Sequence, residues 1–152
     1  VTQLILLGPA GHGGPRRPRG ELRSWREAQA SGDADALRAV MHHNLCMHMI
    51  SEPAHIDPAA LQIHTQACLR TRFRSKPISR AGGLAEQLDA FAGPITLIWG
   101  EHDVTATPAH LRSVLTQSRP ERRAVVLPDA GHWVMYEASE PVNALMLDAL
   151  RA

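Results

Sequence analysis

Hydrophobic residues fall along this chain in three rhythms. The first is short: Leu4-Ile5-Leu6-Leu7 is a continuous apolar run that stops at Gly8-Pro9. A run of that length, closed by a turn pair, predicts a strand buried on both faces, as in a parallel sheet. Gly8 to Gly20 is rich in Gly, Pro and Arg and predicts a loop. From about Glu21 to Arg74 the apolar residues return at helical spacing. Ser31 and Asp33 offer capping side chains ahead of Leu37, Val40, Met41 and Leu45, which recur three and four apart. Asp57-Pro58 is a second start signal, with a capping side chain followed by proline in the first turn. Leu61, His64, Cys68 and Leu69 then define the inner face of the helix that follows. Ser75 to Gly83, with a proline and a glycine pair, predicts a second loop.

The third rhythm begins at Leu84, where helix and strand alternate. Leu84 to Phe91 predicts a short helix ended by Gly93-Pro94. Ile95 to Trp99 predicts a strand, stopped by Gly100. Thr107-Pro108 opens a helix with Leu111, Val114 and Leu115 on one side. Ala124 to Leu127 predicts a further strand, stopped by Pro128. Ser139 starts a last helix, with Val142, Leu145, Met146 and Leu150 turned inward. Strands separated by helices imply right-handed crossovers and a parallel sheet. The expected organisation is a core strand and loop over 1–14, a helical segment over 15–83, and a C-terminal core over 84–152. A chain that opens on a central strand implies that more of the sheet is supplied upstream.

Composition narrows the partners. The 152 residues suit one ordinary domain. Sixteen basic residues against fifteen acidic ones leave a formal charge of +1, which gives no electrostatic case for nucleic acid or an anionic membrane. The arginines between Arg16 and Arg26 are interrupted by acidic and apolar residues, the pattern of a solvated face. No apolar run reaches transmembrane length. Cys46 and Cys68 have no metal-like spacing and fall on expected helices, so free buried thiols and a reducing, cytoplasmic setting are expected.

In open parallel sheets, ligands and chemistry collect at the carboxyl ends of the strands. Two such ends here carry polar residues that a core would reject: Trp99-Gly100-Glu101-His102-Asp103 and Leu127-Pro128-Asp129-Ala130-Gly131-His132-Trp133. An Asp after one strand and a His after the next are placed to hydrogen-bond. The carboxylate would fix the imidazole tautomer and stabilise the imidazolium formed in proton transfer. The plainer alternatives are a turn aspartate and an ordered loop histidine. Glu101 and His102 are expected to be exposed. Asp129 is a rival acid, although it shares the histidine's own loop and would have to reach the ring from a harder side. Gly11-His12-Gly13-Gly14 has the H-G-G form of some oxyanion holes. No nucleophile elbow follows it, so a link with His12 near a pocket mouth is the expectation. Among His42, His43, His48, His55 and His64, His43 and His48 are five apart and His42 lies six before His48, so neither pair gives the helical ligand spacing of three or four, and neither metal nor cofactor is expected. Met41, Trp133 and His12 are the candidate substrate contacts.

These turns also carry a resemblance. Pro94 to Pro108, P-I-T-L-I-W-G-E-H-D-V-T-A-T-P, resembles the acid-bearing strand and turn of α/β-hydrolases. Leu127 to Glu137, L-P-D-A-G-H-W-V-M-Y-E, resembles their histidine loop, and Ser139 to Asn143 the start of their final helix. Val1 to Pro9 is similar to the strand after their nucleophile helix, and the helical stretch between corresponds by position to their cap. Gly8-Pro9 and Gly131-His132-Trp133 lean towards carbon–carbon bond hydrolases of ring-cleavage products and related esterases.

The resemblance implies an α/β fold comprising the C-terminal part of such a hydrolase, with Asp103 and His132 as catalytic acid and base. It implies a small apolar ester or β-diketone-like carbon–carbon substrate. The family's G-x-S-x-G elbow is absent: Ser24, Ser31, Ser51, Ser75, Ser79, Ser113, Ser118 and Ser139 all lack the flanking glycines. The nucleophile is therefore expected upstream of Val1. A dehalogenase or haloperoxidase on the same fold is one alternative. A non-catalytic chain that binds a small ligand or a partner is the other.

Overall fold

The three apolar runs expected as strands form one parallel sheet in a computed structural model, which describes residues 1–151. The strands are β1 (Leu4–Leu7), β2 (Ile95–Gly100) and β3 (Arg122–Leu127), in the order β1-β2-β3. Leu4 pairs with Ile95, and Leu97 with Ala124. The helices are α1 (Trp25–Ala30), α2 (Ala34–His48), α3 (Pro58–Arg70), α4 (Lys76–Ala81), α5 (Leu84–Asp89), α6 (Pro108–Thr116), α7 (Val134–Glu137) and α8 (Ser139–Arg151), with a single 3-10 turn at Pro53–His55.

Alternation of side chains along β2 divides the core in two. Ile95, Leu97 and Trp99 face Leu88, Ala106, Leu111 and Leu115 on one side. Ile98 faces the other, with Leu127, Ala130, Val134 and Val142. All six residues of β2 are buried, as suits a central strand. Helices α1 to α3 have a third core of their own, made of Met41, Leu45, Ile50, Ala60 and Leu61. Trp133 and Tyr136 pack against it from the C-terminal part of the chain and so join that helical layer to the sheet.

The caps follow the sequence. The Asp33 carboxylate accepts from the amides of Asp35 and Ala36 at 2.9 and 3.0 Å, and Asp57 accepts from Ala60 at 2.7 Å. Each satisfies amides that the first helical turn leaves without partners.

Several expectations need correction. Ser75 to Gly83 is not all loop. Pro77 lies in the first turn of α4, where its missing N–H costs nothing, and only Gly82 and Gly83 act as the stop. Helix α7 is too short to show a period in sequence. Val114 and Leu150 are exposed, because α6 presses on the sheet along the Leu111–Leu115 line and α8 packs chiefly through Val142. β1 is half-buried rather than buried on both faces, since it is bonded to β2 along only one edge. Cys46 and Cys68 are free and half-buried. Among the described residues no helix is long and apolar enough to cross a membrane.

Candidate active site

Two loops meet at the carboxyl end of the sheet because a glycine lets them. A Cβ on Gly100, the last residue of β2, would strike the backbone carbonyls of Ala130 and Gly131. With no side chain there, the loop after β3 runs directly against the turn after β2. The amides of Glu101 and His102 then donate to the carbonyls of Leu127 and Ala130 at 2.7 and 2.8 Å. The amide of Asp103 closes its own turn onto Gly100 at 3.2 Å.

This brings Asp103 and His132 together. Nδ1 of His132 lies 2.9 Å from Oδ2 of Asp103, well within hydrogen-bond distance. The Asp103 side chain is fully buried and that of His132 is 24% exposed, so the acid is sealed while the ring keeps an open side. Thr105 completes the turn: its amide donates to Oδ1 of Asp103 at 2.7 Å, and its hydroxyl lies 3.2 Å from His132 Nδ1. Burial alone would raise the pKa of Asp103, but the hydrogen bond and charge of His132, with the bonds from Thr105, outweigh it and hold the carboxyl below its usual range. A carboxylate so held keeps its proton off, and the Nδ1–H that faces it leaves Nε2 as the basic nitrogen of the ring.

β1 contributes to the same corner. Gly8 has φ +52°, and a Cβ there would come within 3.2 Å of the His132 ring and 3.5 Å of Asp103. His12 is drawn in further along this loop. Because the amide of Gly14 donates to its Nδ1 at 3.0 Å, its Nε2 carries the proton and donates to the carbonyl of Thr105 at 3.1 Å. His12 thus braces the acid's turn.

The other sequence candidates lie elsewhere. Met41 is completely buried inside the α1–α3 core and is not brought to the Asp103–His132 pair. Trp133 is half-buried and points into the same core, edge-on to His64 at 6.1 Å and tilted against Tyr136 at 5.9 Å. Asp129 has φ +55° and a side chain 95% exposed; among the described residues its ion-pair neighbour is the His102 imidazole at 4.0 Å, and the bond to His132 comes from Asp103 instead. Glu101 and His102 are exposed, as expected.

Sequence reasoning gave no role to three residues now found at the site. Thr105 is one. His48, the last residue of α2, is another: its ring stacks on that of His132, with centroids 6.4 Å apart and planes 12° apart. Burial, with the charges of Arg19 and His132, pushes its pKa down to about 4. Glu137 is the third, a carboxylate with no exposed side-chain surface that accepts from the amide of Gly131 at 2.7 Å. The pair Gly131-His132 and a carboxylate on the next helix were visible in sequence, but the distant partners that bury them were not.

The segment after α2 lies on the histidine loop: the amide of Trp133 donates to the carbonyl of Met49 at 2.8 Å, and the hydroxyl of Ser51 donates to that of Asp129 at 3.3 Å. Between this segment and His132 is a cavity of about 30 Å³. A larger one of about 560 Å³ opens alongside, lined by Ser51, Glu52, His55, His102, Val104 and Asp129.

No family model matches the chain. Two curated proteins match over short stretches. A dihydrolipoyllysine-residue acetyltransferase component of the acetoin cleaving system from Pseudomonas putida is 41% identical over 58 residues, which is 38% of this chain and 14% of that protein. Epoxide hydrolase 3 of Xenopus tropicalis is 33% identical over 58 residues, 38% of this chain and 16% of that protein. Solved structures match along nearly the whole chain. The enol-lactonase of Burkholderia xenovorans superposes with a TM-score of 0.67 at 21% identity, covering 100% of this chain and 57% of its own. Naproxen esterase of Bacillus subtilis gives 0.63 at 19%, covering 98% and 51%. A meta-cleavage product hydrolase of Pseudomonas fluorescens gives 0.60 at 15%, covering 98% and 55%. These likenesses show the fold: the chain has the architecture of the α/β-hydrolases. It spans about half the length of those structures and a smaller part of the curated relatives it matches.

Proposed function

We propose that this chain supplies the acid and the base of a serine hydrolase, Asp103 and His132, and that the nucleophile lies upstream of Val1. The observation that carries this reading is the 2.9 Å bond from the His132 ring to a fully buried carboxylate at the carboxyl end of the sheet. In the reaction, Nε2 of His132 takes the proton of the serine hydroxyl as it attacks a carbonyl, then returns it to the leaving group. Asp103 holds the tautomer and stabilises the imidazolium, and an oxyanion hole stabilises the tetrahedral intermediate. Residues 15–83 act as the cap over this end of the sheet. The substrate is a small apolar ester or a β-diketone-like carbon–carbon compound, the second supported by the likeness to the meta-cleavage product hydrolase. No cofactor takes part in this mechanism. The partner is thus a small molecule, neither nucleic acid nor membrane. Ligand sites in general have volumes of roughly 300–1,000 Å³, far more than the cavity of about 30 Å³ at His132, and in this reading the rest of the protein supplies the remaining walls. A cytoplasmic setting belongs to the same reading, supported by the two free thiols.

The test is hydrolysis of a p-nitrophenyl ester by this chain and by a polypeptide extended upstream through the elbow. Turnover by the longer polypeptide alone, abolished by His132→Ala and lowered at least about a hundredfold by Asp103→Ala, is expected. Turnover by the short chain that vanishes with His132→Ala would mean a nucleophile within these 152 residues and would refute the reading. An elbow residue other than serine would favour the dehalogenase alternative.

A further inference from the structure

Glu137 is a buried carboxylate to which, among the described residues, no arginine or lysine is bonded. Its Oε1 accepts from the amide of Ser51 at 2.9 Å, the hydroxyl of Ser51 at 2.9 Å and the amide of Glu52 at 3.1 Å, with His55 Nδ1 at 3.5 Å. Its Oε2 accepts from the amide of Gly131 at 2.7 Å. A buried charge is costly unless its lone pairs are met, and here nearly all the donors that meet them are neutral groups of two separate segments. The segments are close: a Cβ on Gly131 would lie 2.9 Å from Glu137 Oε2, from the Met49 carbonyl and from the Ser51 amide.

His132 sits between the two points that are fastened. Before it, Gly131 is bonded to Glu137. After it, the amide of Trp133 is bonded to Met49 at 2.8 Å. We propose that Glu137 is a positioning residue, whose carboxylate locks the loop before His132 to the Ser51–Glu52 segment and so sets the imidazole at bonding distance from Asp103. Its functional meaning rests on His132 being the base of the proposed hydrolase. Release of the segment and loss of the Asp103–His132 bond are then a single event, because the same carboxylate holds both. A role in packing alone would lower stability and leave the imidazole where it is.

The distinguishing experiment reads the imidazole rather than turnover. In the whole chain, the hydrogen-bonded Nδ1 proton of His132 is followed by NMR, with amide exchange measured in parallel. Glu137→Gln keeps the shape but turns an N–H towards groups that are themselves donors. It is expected to broaden or shift that proton upfield. It should also speed exchange at Gly131, Ser51 and Glu52 together by about tenfold or more. Ser51→Ala, which removes one of the donors, is expected to leave the His132 signal in place. A folded Glu137→Gln protein with an unchanged Nδ1 proton overturns the proposal. If that variant does not fold, native-state exchange of the unaltered chain decides. Joint opening of Gly131, Ser51 and Glu52 with rising denaturant supports the lock, and separate, earlier opening of Gly131 overturns it. Neither readout needs activity, so failure here leaves the hydrolase reading intact, and an inactive extended polypeptide leaves this one intact.

Discussion

His48 and His132 present their imidazoles to each other nearly parallel, 6.4 Å between centroids and 12° between planes, although they come from a helix end and a loop after β3. The contact has a consequence for charge. If both rings were protonated, two cations would share a half-buried corner. Burial together with the charges of Arg19 and His132 avoids this by pushing the pKa of His48 down to about 4, from an ordinary 6.5. The unfolded chain therefore binds a proton at His48 between these values while the folded chain does not. Stability from this group is complete above 6.5, declines as the pH falls towards 4, and changes no further below that. The expected loss is about 1–3 kcal/mol once solvent screening of a partly open ring is allowed for. Urea titrations of the chain and of His48→Phe across that range should show their stability difference shifting in favour of the phenylalanine protein as acid is added. A difference that stays flat would mean that His48 titrates normally.

Asp103 gives the same sign in a more acidic window. Its carboxyl is held below 3.8, so it contributes stability above that value and loses it as the pH falls through the lower folded value. Asp103→Asn removes the charge with little change in shape. At neutral pH the substitution should cost about 1–3 kcal/mol, the usual range for a buried hydrogen bond to a charged group. The gap should narrow as the pH falls below 3.8, where the unfolded chain takes up a proton at Asp103 that the folded chain does not. Thermal unfolding of both proteins at neutral pH and near pH 3 measures this. A gap that is the same at both would show that the His132–Asp103 bond is not charge-assisted.

The sequence made the sheet and the Asp103–His132 contact legible for a local reason. β2 and β3 are short apolar runs closed by Gly100 and Pro128, and the polar residues that follow them stand out against a core. Asp33 and Asp57 announced their helices because a cap acts on amides only two or three positions away. What stayed hidden depends on distance along the chain. Glu137 is an ordinary helix residue until Ser51 is brought to it from 86 positions away. Met41 has the helical spacing that suits packing first and a substrate wall second. Only the packing of α1 to α3 against Trp133 and Tyr136 decides which it is. Helix α4 was obscured by treating Pro77 as a breaker, when a proline in the first turn is compatible with a helix.

Gly100 and Gly32 allow a test of the loop contact. A Cβ at Gly100 would enter the backbone of Ala130 and Gly131, which cannot yield as a flexible side chain could. Gly100→Ala should therefore push the two loops apart and cost more than about 3 kcal/mol, or prevent folding. Gly32 has φ +73° with nothing within 4 Å of its Cβ position. Gly32→Ala should cost only the backbone strain, about 1 kcal/mol. Gly8→Ala should fall between them, because it combines φ +52° with a contact at 3.2 Å to a ring that has an open side. Urea midpoints for the three variants give the order. If Gly100→Ala proved as mild as Gly32→Ala, the close approach of the loops would be wrong.

Met41 separates core from site. Its side chain is completely buried among Leu45, Ile50, Ala60 and Leu61. Met41→Ala should cost about 2–5 kcal/mol, the range for emptying such a position, with the size set by how far α2 and α3 can close the space. Met41→Leu nearly conserves volume and should cost less than about 1.5 kcal/mol. In the extended polypeptide, Met41→Leu should leave KM unchanged, since no substrate touches a side chain sealed in that core. Trp133→Phe is the informative partner. It keeps an aromatic ring against His64 and Tyr136 and also leaves the Met49 bond, which uses only the Trp133 backbone. Its effect should therefore appear in stability rather than in the Nδ1 proton of His132. A changed KM with Met41→Leu at unaltered stability would move Met41 back to the substrate wall, and would mean that the α1–α3 core opens when ligand enters.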